Sequence, residues 1–363
     1  MTFTQNSISI FIAYFCLFLS GTASLVYELV WIRQLTLVFG GTLYAISAVL
    51  CAFMAGLALG AWGISRYLDT HKETNRIQLY GFIEGLIGVY GLLFPWGLKA
   101  LTLVYPIALG FSINSSSALH LAEFALSTLL MLPATFLMGA TLPLIGSWAV
   151  GDRITHLFSN ISTLYSINTF GAVFGCLFAQ YFGIERFGIS GVTWIAVALN
   201  STVLLLSSQL PAIPGSIMGE TQISRKSVKS HQPVMPITEA EPSRALNILL
   251  LVIFTFSGFA SLSSEILWTR ALVFPLGSTL YSFALILATF LFGIALGSLV
   301  AEKFLGNTRY VLKFLSIELA IGVFCIGIIP AFDLLPELTA MADRLFYDAH
   351  NTPSRTLLVR SFF

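Results

Sequence analysis

The sequence predicts an all-α, polytopic membrane protein with an internal repeat, and three observations support this prediction. Hydrophobic residues make up 56% of the 363 residues and charged residues only 10%, whereas soluble proteins carry about a quarter charged residues. Apolar runs of about 20 residues, the length that crosses a bilayer as a helix, recur along the chain. The pattern of residues 20–60 also recurs in residues 257–297, and the offset between matched residues is constant.

The repeated stretch reads SGTASLVYELVWIRQLTLVFGGTLYAISAVLCAFMAGLALG in its first copy. In its second copy it reads SGFASLSSEILWTRALVFPLGSTLYSFALILATFLFGIALG. The two align without a gap, and Glu28 matches Glu265 while Arg33 matches Arg270. Such a match indicates that the chain contains a duplication.

Apolar length predicts nine spans in order along the chain. The N-terminal segment continues into the repeated motif without a small-residue cleavage site, so we predict a retained span rather than a signal peptide. The predicted spans are 11–39, 43–65, 78–98, 118–149, 158–182, 189–210, 246–275, 279–301 and 311–332.

The distribution of Lys and Arg predicts the orientation of these spans, because basic loops face the cytoplasm. One side carries the larger set: Arg66, Lys72, Arg76, Arg153, Arg225, Lys226, Lys229, Arg244, Lys303, Arg309 and Lys313. The other side carries Arg33, Lys99, Arg186 and Arg270. We therefore expect a cytoplasmic N-terminus.

Six spans separate the two copies of the motif, so both copies enter the membrane in the same direction. This order predicts a parallel repeat of six-span halves, as in major-facilitator transporters, rather than an inverted one. We predict a first membrane repeat at 1–210, a cytoplasmic linker at 211–245 that is rich in Pro, Ser and charge, and a second repeat at 246–363. A complete six-span copy would run to about residue 450 at the spacing of the first, so the second half is truncated. The sequence is then either a fragment or a natural truncation.

Acidic residues inside the predicted spans are the first candidates for a functional role, because a charge at the bilayer centre costs about 2.5–3.5 kcal/mol. Two hypotheses remain open for them. They form a proton or cation relay or a polar substrate site, or they form structural ion pairs such as Arg33 with Glu84 and Arg270 with Glu318. The candidate residues are Glu28, Arg33, Glu84, Glu123, Glu265, Arg270 and Glu318.

The fourth span contains MLPATFLMGATLPLIG, in which two prolines bracket small and polar residues. Each proline removes a backbone donor, so the helix is expected to kink or break there. A break would favour a transporter binding site, and an ordinary kink would be structural. The residues are Pro133, Thr135, Gly139, Thr141 and Pro143.

Several other residues are expected to serve packing. Glycines four apart allow helices to approach closely, and they occur at 56 and 60, 81 and 85, 171 and 175, and 293 and 297. Tyrosine and tryptophan near span ends are typical of an interfacial aromatic belt, which predicts that position for Trp31, Trp268, Tyr44 and Tyr281.

No catalytic, cofactor or metal site is expected from the sequence. The four cysteines are scattered singly through apolar segments, and the five histidines are isolated from one another. No Gly-rich phosphate loop follows a strand. The net charge of +1 argues against nucleic acid as a partner.

The first copy of the motif, with SLVYELVWIRQLTLVFG and TLYAISAVLCAFMAGLALGAW, is accompanied by three further blocks: YGFIEGLIGVYG, LPATFLMGATLPLIG and LYSINTFGAVFGCLFAQYFGIERFGISGVTWIAVALN. In order and spacing they resemble the membrane domain of bacterial spermidine synthase-like proteins, the fused major-facilitator/spermidine synthase proteins. The resemblance covers nearly the whole chain apart from the linker. In full-length members it implies a following soluble aminopropyltransferase-like domain, which this sequence does not contain.

Three hypotheses about function follow. The first is a membrane module that anchors or serves a polyamine-related activity carried by a soluble aminopropyltransferase-like domain or protein. The second is a secondary transporter of a small solute, such as a cation. The third is the non-catalytic N-terminal part of a membrane-bound spermidine synthase. In each of them the lipid bilayer is the immediate partner, and this chain alone is not expected to be an enzyme.

Overall fold

The computed structural model describes residues 2–40, 43–112, 116–150, 157–211, 244–276, 280–305 and 310–335, with 337, 338, 340, 341 and 344. This described part is helical apart from short turns and contains no strand. Most of the predicted linker lies outside the described residues, as do residues 345–363 of the second predicted repeat.

The first part of the chain contains six α-helices. They are α1 (Thr2–Phe39), α2 (Leu43–Thr70), α3 (Arg76–Ser112), α4 (Ser116–Val150), α5 (Leu157–Phe178) and α6 (Ile184–Ser207). A π-helix at Ala179–Gly183 joins α5 to α6. The later helices are α7 (Arg244–Leu276), α8 (Leu280–Leu305) and α9 (Tyr310–Gly327), followed by a 3-10 helix at Ile329–Leu334.

Eight described helical segments are long and apolar enough to cross a membrane, which confirms a multi-span helical protein. One of them, Ile161–Ser207, has 47 residues, which is about 70 Å of helix against a hydrocarbon core of about 30 Å. Gly188 interrupts this segment with φ 68° and ψ 176°, a conformation that glycine adopts readily. The interruption falls between the fifth and sixth predicted spans.

The helix contacts show that the chain reverses direction at this interruption. Helix α5 runs parallel to α1, since Phe18 lies against Gly171 and Thr22 against Gly175. Helix α3 is also parallel to α1, because Ser20 contacts Glu84 and Phe39 contacts Tyr105. Helix α6 is antiparallel to α3: its residues 207, 204 and 200 lie in turn against 81, 85 and 88. Segment 161–207 therefore makes two passes, which explains why eight apolar segments are found where nine spans are predicted.

The core of the first six helices forms around α1, which contacts all the other five. Backbones meet directly at several glycines. A Cβ built on Gly60 would lie 1.9 Å from the carbonyl oxygen of Phe136, and one on Gly139 would lie 2.1 Å from that of Leu57. The predicted packing role of the glycine pairs 56/60, 81/85 and 171/175 is confirmed, whereas Gly293 and Gly297 face no described atom within 4 Å.

Helix α4 does not break at its prolines, which excludes the break and leaves the kink of the two predicted alternatives. It is assigned as one continuous helix over both Pro133 and Pro143. Hydroxyl groups bond carbonyls of the same helix there: Thr135 Oγ1 donates to Met131 O at 2.9 Å, and Thr141 Oγ1 donates to Met138 O at 2.7 Å. The close packing of α4 against α2 also supports a regular helix through this region.

Trp31 does not lie in an exposed aromatic belt. Its side chain is fully buried and stacks on the Phe94 ring at a centroid distance of 4.6 Å and on the Tyr27 ring at 5.2 Å. The tryptophan thus joins α1 to α3 inside the bundle. Trp268, its repeat equivalent, stacks on Phe332 at 5.3 Å.

The later helices join the first six mainly along α5 and α8. Ser166 Oγ donates to Ala295 O at 3.1 Å, and Cys176 Sγ donates to Ala284 O at 3.2 Å. These contacts make α8 antiparallel to α5. The end of α7 and the start of α8 lie near Tyr44, which begins α2. Helix α7 therefore points in the same direction as α1, and the two copies of the motif run parallel.

Candidate functional site

Two equivalent acids of the repeat, one from each copy, lie within electrostatic range of each other. Glu28 on α1 and Glu265 on α7 are both buried, with exposed fractions of 1% and 4%. They lie close enough for their charges to repel each other. Glu28 Oε1 makes no hydrogen bond within the described part of the chain. A buried, unpaired carboxylate oxygen is costly in an apolar medium, so this position favours a bound cation or a proton.

The π-helix adds polar groups to the same interface. It packs against both α1 and α8, and Gln180 within it is buried with an Nε2 that lacks a partner among the described residues. The preceding Cys176 lies close enough to Glu28 to interact electrostatically. Single π-turns often occur at functional sites, which is consistent with a site at this junction.

The two arginines of the repeat make reciprocal contacts across the junction. The Arg270 guanidinium carbon lies 5.4 Å from the Tyr44 ring centroid, and Arg33 lies close enough to Tyr281 to interact electrostatically with it. Arginine and tyrosine in each pair come from different copies of the motif. This exchange is the pattern of an isologous, two-fold contact.

A cavity of about 240 Å³ lies beside the Arg270–Tyr44 contact. Ser47, Thr269 and Arg270 supply polar groups to its wall, and the remaining lining is mainly apolar. Helices α2, α7 and α8 form this wall, so the cavity lies between the two copies. It lies next to the turn of α7 that carries Glu265.

The expected ion pairs of Glu84 and Glu318 are not formed. Ser20 Oγ donates to Glu84 Oε1 at 2.5 Å, and Asn200 Nδ2 donates to Glu84 Oε2 at 2.6 Å. Ser257 Oγ donates to Glu318 Oε1 at 2.5 Å. Neutral donors take the role predicted for Arg33 and Arg270, because both arginines lie instead beside the tyrosines of the opposite copy.

Glu123 lies in a separate group at the end of α3 and the start of α4. Its Oε2 is 3.3 Å from His120 Nδ1. Tyr105 Oη donates to Glu123 Oε1 at 3.2 Å. The His120 ring stacks on Tyr44 at 4.6 Å, which links Glu123 to the Arg270 contact.

The seven charged candidates therefore separate into distinct places in the structure. Glu28 and Glu265 meet at the junction, Arg33 and Arg270 flank it, and Glu84, Glu123 and Glu318 have partners within their own copies. Of the proline-region candidates, Thr135 and Gly139 serve the contact between α4 and α2.

Sequence reasoning missed Asn200, Gln180, Ser20 and Tyr80, which surround the buried acids. A signal was visible for three of them. Asn200 and Gln180 are amides within long apolar runs, where a polar side chain is expensive, and Ser20 recurs as Ser257 in the second copy of the motif. Nothing in the sequence alone distinguishes Tyr80 from the many other hydroxyl residues of the spans.

The fold and the junction define a multi-span helical membrane protein whose two repeated motifs meet at a buried acidic pair. Among the described residues no group of three or more His, Cys, Asp or Glu side chains is placed to hold a metal ion. Comparison of the chain with protein-family models, curated proteins and solved structures finds no significant match.

Proposed function

We propose that this chain is a transporter-like membrane module that passes a small cationic solute along the junction of its two repeat copies. The observation that carries the proposal is the apposition of Glu28 and Glu265. Both acids are buried, and they come from equivalent positions of the repeat. Two carboxylates that repel each other in an apolar medium are stabilised when a cation lies between them.

The architecture around the acids supports this proposal. Transporters with parallel repeats bind their substrates near the bilayer midplane, at the interface between the repeats, and open to alternate sides by rocking one repeat against the other. The shared direction of α1 and α7 supports such an arrangement. The exchanged Arg270–Tyr44 contact lies at one end of this interface, where a barrier to the solute would be needed.

The test is uptake of labelled putrescine, a small dication, into proteoliposomes that contain the purified chain. Glu28→Gln with Glu265→Gln is expected to abolish uptake while the thermal midpoint is kept or raised, because a neutral amide is easier to bury than a carboxylate. The control is Glu73→Gln, which alters an exposed acid in the turn after α2. Uptake by the double variant at the rate of the unmodified protein would contradict the proposal.

The resemblance to spermidine synthase-like membrane domains supports a second proposal, in which the module anchors or serves a soluble aminopropyltransferase-like domain or protein. The motif series from SLVYELVWIRQLTLVFG to GISGVTWIAVALN favours it. In this proposal the chain lies in a bacterial inner membrane as the non-catalytic N-terminal part of a larger system.

An aminopropyl-transfer assay tests this second proposal. The purified chain alone is expected to show no turnover with decarboxylated S-adenosylmethionine and putrescine. A soluble aminopropyltransferase added to the immobilised chain should be retained, with bovine serum albumin as the control protein. Turnover by the chain alone would refute a non-catalytic role, and equal retention of both proteins would refute anchoring.

A further inference from the structure

We propose that the cavity between α2, α7 and α8 binds the phosphate head group of an anionic phospholipid, with the Arg270 guanidinium bound to the phosphate. The cavity has a volume of about 240 Å³, and Tyr44, Ser47 and Thr269 line it beside Arg270. The lipid would remain bound between the two copies of the motif. This site therefore does not depend on the transport of a solute.

Arg270 carries a positive charge without an acidic partner. No salt bridge to it is found among the described residues. Every residue of the cavity wall lies in 29–68 or 266–301, and these two stretches contain no Asp or Glu. Glu265 lies five residues earlier on α7, about 140° away around the helix, and Glu123 is contacted by its own partners on α3 and α4. The guanidinium is thus available to an external anion.

The Tyr44 ring positions this guanidinium. The Arg270 guanidinium carbon lies 5.4 Å from the ring centroid, and the ring in turn stacks on that of His120 at 4.6 Å. An arginine that already packs on a ring loses less side-chain entropy when it binds a ligand. Its planar group also matches the oxygen atoms of a phosphate, with which it can form two parallel hydrogen bonds.

The cavity lies at the level of lipid head groups. Tyr44 is the first residue of the apolar segment Tyr44–Thr70, and Arg270 lies two residues before the end of the segment Ile248–Leu272. The ends of membrane-spanning segments lie where the hydrocarbon core meets the head groups. Basic pockets between spanning helices bind anionic head groups at this level.

The cavity wall becomes apolar with depth. Leu50 lies six residues after Tyr44 on α2, which is about 9 Å further along the helix, and Ile266 lies one turn before Arg270 on α7; both line the cavity. A ligand with a charged head and an apolar continuation fits this order better than a free anion does. Pockets that enclose a whole small molecule measure about 300–1,000 Å³, so this smaller cavity would hold the head group and leave the acyl chains in the bilayer.

The reciprocal contact in the other copy provides an internal comparison. Arg33 lies close enough to Tyr281 to interact with it electrostatically, and so does Glu185. Tyr281 Oη donates to Glu185 Oε1 at 2.6 Å. An acid of the protein thus already lies at this contact, which disfavours a second negative charge. We therefore expect the lipid phosphate at Arg270 and not at Arg33.

The experiment measures the thermal midpoint of the purified chain in micelles of an uncharged detergent. Phosphatidylglycerol, phosphatidylcholine and diacylglycerol with the same acyl chains are titrated separately. We expect phosphatidylglycerol to raise the midpoint in a saturable manner, because a ligand that binds only the folded state stabilises it. Phosphatidylcholine should raise it much less, since its choline group neutralises the phosphate, and diacylglycerol should have no effect. Arg270→Gln should weaken the apparent affinity for phosphatidylglycerol about tenfold, because hydrogen bonds between charged groups are lost.

The matched control is Arg186→Gln. Arg186 is exposed, as Arg270 is, and its guanidinium carbon also lies near a ring, 5.8 Å from the Phe182 centroid. It does not line the cavity, so this variant should keep the full response to phosphatidylglycerol. Equal weakening by the two variants would indicate a general attraction of basic residues to anionic lipid and would overturn the proposal.

The comparison of ligands on the unmodified protein carries the test alone if Arg270→Gln does not fold. Equal midpoint shifts with phosphatidylglycerol and phosphatidylcholine would overturn the proposal, because they would indicate a general effect of lipid. An equal shift with inorganic phosphate would also overturn it, because the ligand would then be a free anion. Putrescine uptake does not enter these measurements, so failure here and failure of the transport proposal are distinguishable.

Discussion

The two copies of the repeated motif carry the same residues in very different surroundings. In the first copy, Trp31, Gly60 and Glu84 are enclosed by α3, α4 and α6. Their equivalents in the second copy face few described atoms: Gly297 meets none within 4 Å, and residues 312–327 of α9 include no buried side chain. The duplicated sequence thus preserves local contacts, such as Ser20 with Glu84 and Ser257 with Glu318. The neighbouring helices determine how much each contact contributes to stability.

The largest expected difference between the copies is at the tryptophans. Trp31→Ala removes a fully buried ring that contacts Tyr27 and Phe94, which should cost about 3–5 kcal/mol of stability. Trp268→Ala removes a partly exposed ring and should cost clearly less. Thermal unfolding of both variants in detergent checks this, and equal losses would show that the two copies are equally enclosed.

A smaller difference is expected at the glycines that end the motif. Gly60→Ala places a methyl group 1.9 Å from the carbonyl oxygen of Phe136, so α2 and α4 must separate, at a cost of about 1–3 kcal/mol. Gly297→Ala, at the equivalent position of α8, should leave the thermal midpoint unchanged or slightly higher. The thermal midpoints of the two variants, together with the yield of folded protein after extraction, check this prediction. Tolerance of alanine at residue 60 would contradict the close contact.

The difference in stability loss between the two copies should be smaller still for the serines that donate to the repeated acids. Ser20→Ala leaves a fully buried carboxylate oxygen without its donor, at a cost of about 1–3 kcal/mol. Ser257→Ala acts on Glu318, which is only partly buried, so water or lipid headgroups can replace the donor. Thermal midpoints of the two variants check the order, and a larger loss for Ser257→Ala would reverse the comparison.

The smallest effect on stability is expected in the linker between the copies. Ser227→Cys lies outside the described residues and should not change the thermal midpoint. Because basic residues concentrate around it, we expect it to face the cytoplasm. An impermeant thiol reagent should label it only after cells are permeabilised, with the unmodified protein as the control for native cysteines. Labelling in intact cells would invert the orientation.

Much of the fold could be predicted because span length and the repeat are linear properties of the sequence. The runs from residue 11 to 210 anticipate α1 to α6, although α1 begins earlier, at Thr2, and α3 ends later, at Ser112. The boundary between the fifth and sixth spans brackets Gly188. The continuity of α4 could not be predicted, since proline tolerance depends on the hydroxyl groups and neighbours that support the helix. The burial of Trp31 could not be predicted either, because it depends on the side chains that pack around the ring and not on its position along the span.

The candidate site was predicted only in its residue types. Acids within apolar runs identified Glu28, Glu84 and Glu265, because charge in a membrane is visible in any sequence. Their partners were not predictable: five-residue spacing places Arg33 away from Glu28 on α1 but does not say which helix it meets. The exchange of Arg33 and Arg270 between the copies is a property of how the helices assemble.

The hydroxyl contacts between α5 and α8 have a mechanical consequence. Ser166 Oγ donates to Ser162 O in its own helix at 2.8 Å as well as to Ala295 O across the seam at 3.1 Å. If α8 slides, the Ser166 hydroxyl keeps its partner within α5, so this donor is not left unsatisfied. Cys176 Sγ and Ser298 Oγ instead donate across the seam, to Ala284 O and Ser162 O, and these bonds oppose the same movement. The backbone contacts of Gly60 and Gly139 hold α2 and α4 together.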